Sequence, residues 1–207
     1  MSETASSAAE PRIRFEVETT IPTNHGDFRF RAYTDTVTGD VHLAICSGVP
    51  RDGMLVRVHS ECLTGEAFGS MKCECGPQLD AALNIIQAEG GAVLYLRGHE
   101  GRGIGLLNKL RAYRLQEDGL DTVDANLALG LPADARDFIG AAKILDDLGV
   151  AEVRLLTNNP LKSQSLEEHG IRVTARVPLE VGRNVINDDY LRVKAERMGH
   201  LFGDQSS

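Results

Sequence analysis

VRLLTNNPLKSQSLEEHGIRVTARV, residues 153–177, reads as strand, helix, strand. Val153 to Leu156 is a short apolar run of strand length. Asn158-Asn159-Pro160 then opens a helix. Asparagine is a good N-cap, and proline suits the first helical position, where its missing amide proton costs nothing. Ile171 to Val177 is the next strand. Two strands joined by one helix at this spacing predict a βαβ unit and a parallel sheet.

Working outward, similar units precede it. Asp137 to Leu148 carries a helix pattern closed by Gly149. Val93-Leu94-Tyr95-Leu96 reads as a buried strand, followed by a glycine-rich loop and a helix from about Leu106 to Glu117. Gln78 to Glu89 places Leu79, Ala82, Leu83 and Ile86 on one helical face, and Gly90-Gly91 ends it. From Arg12 to about Arg57 the period changes to two, with Phe28, Phe30 and Ala32 alternating with charged residues. Asp35 to Asp40 reads as a turn, Val41 to Ile45 as a strand, and Met54 to Val58 as another. The expected fold is α/β: a single compact domain over residues 12–201, with a mixed or parallel sheet flanked by helices plus an N-terminal antiparallel β region. Residues 1–11 and 202–207 are expected to be tails.

A chain of 207 residues suffices for one full core. The net charge of -8 argues against a broad nucleic-acid surface, which needs a basic face. It leaves room for a small phosphate site made from a few Arg and Lys. No apolar run approaches the ~20 residues of a membrane span. The first residues, MSETASSAAEP, lack the basic and apolar regions of a secretory signal, so a cytoplasmic location is expected.

Four cysteines are too few for a disulfide scaffold, and three of them crowd into CLTGEAFGSMKCEC, residues 62–75. Cys62, Cys73 and Cys75 offer three thiolates. Structural zinc sites are closed by four protein ligands, whereas catalytic ones keep a position open for water. His59 or the distant Cys46 would close the set, so a closed knot and an open site both stand. A redox pair at Cys73-x-Cys75 fits less well, because the usual redox spacing is C-x-x-C.

Three further segments carry candidate chemistry. HEGRGIG, residues 99–105, reads plainly as a tight turn. Its position after a strand also suits a loop whose amides and Arg102 meet phosphate oxygens. In PADARDF, residues 132–138, Asp134 and Asp137 are explained as the acidic start of a helix. Arg136 is not, since a cation in the first turn opposes the helix dipole unless an anionic ligand offsets it. In TNNPLKS, residues 157–163, Lys162 poses the same question.

Together, RVHSECLTGEAFGSMKCECGPQL, EGRGIGLLNKLRAY, DTVDAN, ADARDF, RLLTNNPLK, VGRN and KAERMGHL make the chain resemble GTP cyclohydrolase II from about Asp27 to Leu201. With no stretch left for a fused dihydroxybutanone phosphate synthase domain, it resembles the monofunctional form. The resemblance implies hydrolysis of GTP to 2,5-diamino-6-(5-phosphoribosylamino)pyrimidin-4(3H)-one, formate and pyrophosphate, the first step of riboflavin biosynthesis. It implies a homodimer that uses Zn²⁺ and Mg²⁺, with no nucleic-acid or membrane partner. By motif, Cys62, Cys73 and Cys75 match the zinc ligands, and Arg57, Val58, His59, Ser60 and Glu61 match the GTP-binding segment. Gln78, Glu100, Gly101, Arg102, Thr122, Thr157 and Lys162 match further nucleotide contacts. Asp134 matches a proton acceptor, Arg136 a nucleophile, and Tyr113 a tyrosine beside the purine. One departure is RGHEGRG, residues 97–103, where many members have RQEGRG. The alternatives are a paralogue that stops at the formamide product, which Tyr113 argues against, and a non-catalytic zinc and nucleotide-binding module.

Overall fold

The computed structural model describes residues 11–188 and 190–193. The KAERMGHL segment and the expected tails, Pro11 apart, lie outside the described residues. The chain runs β1 (Ile13–Thr23), β2 (Gly26–Asp35), β3 (Val41–Ser47), β4 (Met54–Ser60), α1 (Leu63–Glu66), α2 (Cys75–Glu89), β5 (Gly91–Leu96), α3 (Glu100–Gly103), α4 (Gly105–Glu117), α5 (Thr122–Ala128), α6 (Ile139–Asp147), β6 (Glu152–Leu156), α7 (Pro160–Glu168) and β7 (Arg172–Val177). The seven strands form one mixed sheet in the order β1-β2-β3-β5-β4-β6-β7. β1, β2, β3 and β5 pair antiparallel, while β5, β4, β6 and β7 pair parallel. The expected N-terminal antiparallel region is therefore one half of the same sheet, joined to the parallel half at β5.

Alternation along the central strands builds two cores. On one face Val56 and Val58 of β4 and Ala92, Leu94 and Leu96 of β5 pack with Ala141, Ile144 and Leu145 of α6 and Leu166 of α7. On the other face Leu55 and Val93 pack with Ala82 and Ile86 of α2. Successive side chains of a strand point to opposite faces, so β4 is buried on both sides and its parity decides what each residue meets. Helices on both faces complete the layered α/β arrangement.

Local signals account for most boundaries. The Asn159 side chain accepts the Leu161 amide at 3.0 Å and Pro160 takes the first helical position, as its residue types predict. α2 starts three residues earlier than expected, at Cys75, because Pro77 is tolerated within a first turn whose amides need no partner. α5 was not expected; Asp121 caps it by accepting the amides of Val123 and Asp124. α6 begins at Ile139, later than expected, with the Asp137 carboxylate accepting the Ile139 amide at 2.7 Å. Arg136 consequently precedes the helix and is not a cation in its first turn, so that argument for an anionic ligand does not hold. Lys162 does sit in the first turn of α7, where its ammonium donates to the Val58 carbonyl at 2.8 Å.

Candidate metal and nucleotide site

The C-terminal ends of β4, β5 and β6 open into one cleft, the usual ligand position in an open parallel sheet. β4 delivers Arg57, His59 and Ser60 and then the first cysteine. β5 leads into the glycine-rich turn, and β6 into Thr157. The cleft spans about 1020 Å³, the open solvent at its mouth included. Five cations line it in a chain of net charge -8: Arg57, Arg102, Lys109, Arg136 and Lys162.

The three cysteine sulfurs converge at one wall. All lie within 4.8 Å of one another, and Cys62 Sγ and Cys73 Sγ are 3.7 Å apart. Sulfurs bound tetrahedrally at about 2.3 Å from a zinc ion are separated by about 3.8 Å, so the donor set fits that metal. Close approach is possible because Gly65 has no side chain: a Cβ there would stand 2.7 Å from Cys73 Sγ and 3.2 Å from Cys62 Sγ. Among the described residues no fourth His, Cys, Asp or Glu joins the cluster. The two candidates from sequence are engaged elsewhere. His59 Nε2 donates to Glu66 Oε1 at 2.9 Å, and Cys46 lies in the sheet core, where burial pushes its thiol up to about 11. Of the two sequence readings, this geometry fits the open set.

The thiols differ in charge. Hydrogen bonding with Cys73 and Cys75, aided by the Lys109 ammonium, holds the Cys62 thiol far below its ordinary range. Hydrogen bonding to Cys62 in turn pushes Cys73 up to about 11 and raises Cys75. A metal ion removes this conflict, since coordinated thiols lose their protons.

A carboxylate braces the first ligand from behind. Glu66 Oε1 accepts the Cys62 amide at 2.9 Å, and Tyr95 donates its hydroxyl to Oε2 at 2.5 Å. Burial, the dominant cause, raises Glu66 to about 7. His59 stays neutral, because burial comes first and Arg57 and Lys162 oppose a further positive charge.

Across the cleft, Arg57 donates through Nη2 to Gln78 Oε1 at 2.7 Å and through Nη1 to the Leu156 carbonyl at 3.1 Å. Among the described residues its buried Nε has no hydrogen-bond partner, and neither has Arg102 Nη2. Arg102 also has a backbone φ of 65°, a left-handed conformation that costs free energy in a non-glycine residue and clusters at functional sites. Gly101 and Gly103 flank it at φ 61° and 87°, so α3 is a tight turn more than a helix.

Arg136 reaches the cleft from the loop before α6. Asp134 holds it with Oδ1 on the amide and Nε and Oδ2 on Nη2. Burial works against the Asp134 charge, but the bonds from Arg136 outweigh it and hold the carboxyl below its usual range. His99, in the segment that departs from the common motif, also lines the cleft, with Nδ1 3.2 Å from Ser60 Oγ. Burial above all, with Arg136 and Lys162, lowers His99 to about 3. Burial keeps the Tyr113 phenol protonated, well above its ordinary value.

The cleft thus gathers Arg57, His59, Ser60, Glu61, Gln78, Gly101, Arg102, Tyr113, Thr122, Arg136, Thr157 and Lys162 with the three cysteines. Three expected residues stand off its wall. Val58 has the wrong strand parity and packs into the core, presenting only its carbonyl to Lys162. Asp134 lies behind Arg136. Glu100 is buried, with Oε1 on the Lys109 ammonium and Oε2 accepting the Leu63 amide. Sequence reasoning missed Lys109, Glu66 and Tyr95, whose contacts come from residues distant in the chain.

At its strand ends this α/β sheet carries a three-cysteine cluster that could hold a metal ion and a cleft lined by cations, the layout of a protein that handles an anionic ligand. The family model described as GTP cyclohydrolase II matches residues 14–178. The chain belongs to the GTP cyclohydrolase II family, a family of hydrolases. It is 56% identical over 194 residues to a GTP cyclohydrolase-2 of Acinetobacter baumannii, covering 92% of this chain and 96% of that one. It is 55% identical over 197 residues to the riboflavin biosynthesis protein RibBA of Salinispora tropica, covering 94% of this chain and 49% of that one. The chain therefore spans about half the length of the RibBA relatives and nearly all of the shorter one. Among solved structures, RibBX of A. baumannii, a two-domain 3,4-dihydroxy-2-butanone 4-phosphate synthase, matches with a TM-score of 0.48 and 21% identity, covering 84% of this chain and 42% of that one. Among the described residues no helix is long and apolar enough to cross a membrane.

Proposed function

We propose that this chain hydrolyses GTP to 2,5-diamino-6-(5-phosphoribosylamino)pyrimidin-4(3H)-one, formate and pyrophosphate, with one zinc ion per subunit on Cys62, Cys73 and Cys75. The observation that carries this reading is the meeting of three clustered sulfurs with five cations in one cleft of an acidic chain. When bound, zinc supplies a Lewis acid and an activated water for attack on a guanine ring carbon.

The chain's own groups do the rest. Gln78 and Arg57 hold the base edge, the partnerless Arg57 Nε supplying a donor. Tyr113, kept protonated by burial, orients the purine and donates a proton as the ring opens. Arg102 Nη2, the Gly101 turn, Lys162, Thr157 and Thr122 receive the ribose and phosphates, and His59, Ser60 and Glu61 complete the wall. Val58 contributes only through its main chain. Arg136 clamps the charge that develops at the α-phosphorus, as an arginine finger does, and Asp134 aims it. A covalent role for Arg136 fits less well, because a protonated guanidinium is a poor nucleophile. Magnesium, when bound with the nucleotide, would supply charge neutralisation for the triphosphate. Family membership supports the place in riboflavin biosynthesis, homodimeric assembly and a cytoplasmic location.

The test is a dual assay on GTP with the purified chain. Formate together with pyrophosphate is the expected result. Pyrophosphate without formate identifies an enzyme that stops at the formamide. Release of neither, with GTP still bound, identifies a binding module.

A further inference from the structure

The strongest feature that this reaction scheme leaves unused is the buried cation at the sulfurs. Lys109, on α4, is 7% exposed, and its ammonium donates to Cys62 Sγ at 3.1 Å and to Glu100 Oε1 at 2.5 Å. Glu100 is 6% exposed and uses its second oxygen to accept the Leu63 amide at 2.6 Å, one residue beyond Cys62. Both oxygens of this carboxylate are thus spent on the metal side of the cleft. The arrangement depends on a close approach that leaves no room for a side chain at Gly101. Gly101 adopts φ 61°, and a Cβ there would come within 3.0 Å of Lys109 Cβ and 2.9 Å of Ile104 Cγ1. The turn that carries Glu100 therefore presses directly onto α4 at Lys109.

We infer that Lys109 and Glu100 form a positioning pair for the metal centre, with Lys109 hydrogen-bonded to the Cys62 ligand and Glu100 fixing both that ammonium and the backbone beyond the ligand. The inference rests on the three-thiolate reading of the site. Three thiolates on a divalent ion leave one negative charge in a buried place. A buried charge is costly unless it is paired and hydrogen-bonded, and Lys109 lies between this charge and the Glu100 carboxylate, hydrogen-bonded to both. An N–H···S bond also withdraws electron density from the sulfur, so Cys62 donates less to the metal than Cys73 and Cys75 do. Partners of this kind orient metal ligands and tune the ion they hold. Glu100, which the family motif assigns to the nucleotide, has both carboxylate oxygens engaged beside the cysteines.

The test uses the full chain loaded with Co²⁺, whose thiolate-to-metal charge-transfer band reports the sulfurs, together with a chelator competition for Zn²⁺. Wild type shows the band; a wild type without it overturns the three-thiolate reading itself, separately from the pair. Lys109→Met keeps the band's intensity but moves it to lower energy, and Zn²⁺ affinity falls by about 10–100-fold. Because that variant strands the Glu100 charge, the double variant Glu100→Gln/Lys109→Met removes both charges and is expected to show the same shift with an unchanged circular dichroism spectrum. Glu100→Gln alone moves the band part of the way. An unmoved band and unchanged Zn²⁺ affinity in the folded double variant overturn the inference. So does a raised KM with an unmoved band in Glu100→Gln, which would return Glu100 to the nucleotide.

Discussion

Asp134 grips Arg136 on two sides at once: Oδ1 accepts the Nε proton at 2.9 Å and Oδ2 accepts an Nη2 proton at 2.5 Å. This fork-to-fork pairing fixes the plane of the guanidinium and leaves Nη1 facing Ser60 Oγ at 3.5 Å. The aspartate is two residues away, so the pair is assembled by one tight loop and carried to the cleft as a unit.

If that unit clamps phosphate charge, its loss acts on one product. Arg136→Lys should lower pyrophosphate formation by about 10³-fold or more, since a lysine cannot reproduce the planar fork. Asp134→Asn replaces an ion pair and two acceptor oxygens by one neutral amide oxygen, so the fork is lost, and should cost about 10–100-fold. Single-turnover measurement of pyrophosphate checks both. A guanylylated enzyme trapped under the same conditions would refute the clamp and restore the covalent role.

Metal removal should separate the two halves of the reaction. Stripping the ion, or replacing Cys62, Cys73 or Cys75 singly by Ala, should abolish formate release while pyrophosphate release persists in part. Cys46→Ala should leave metal content at one equivalent, because that thiol is buried in the sheet away from the cluster. Metal analysis alongside the two product assays reads the whole set.

Gly65→Ala puts a methyl group where the sulfurs need room, 2.7 Å from Cys73 Sγ. The sulfur must move, and the expected outcome is a loss of Zn²⁺ affinity of about 10–100-fold in a chain that still folds. Chelator competition gives the affinity, and thermal unfolding of the metal-free protein checks the fold.

His99 gives a pH signature. Its folded value of about 3 lies below the ordinary value of about 6.5, so between these limits the unfolded chain binds more protons. Stability from this residue is complete above about pH 6.5 and declines as pH falls toward 3. Replacing His99 by Asn should flatten the slope of stability against pH in that window relative to wild type. Urea denaturation at a series of pH values measures the difference, and identical slopes would exclude the effect.

The βαβ unit at residues 153–177 was legible because its signals are local: an asparagine cap, a proline at the first helical position, and apolar runs of strand length. The insertion of β5 between β3 and β4 was not, since strand order depends on contacts far apart in the chain. α5 escaped notice because seven residues hold too little periodicity to stand out. At the site, the cysteines announced themselves by spacing. Val58 was placed by motif when strand alternation already put its side chain opposite Arg57 and His59. Lys109 carried no local signal at all, for its partner Cys62 lies 47 positions away.

Cys75 is both a sulfur of the cluster and the first residue of α2, a helix whose Ala82 and Ile86 are wholly buried against the sheet. An ion held by the cluster would therefore restrain the first turn of a helix that is anchored in the core at Ala82 and Ile86. Amide exchange along residues 75–86 should slow when the ion arrives, so that helix becomes a built-in gauge of how well the protein is supplied with metal.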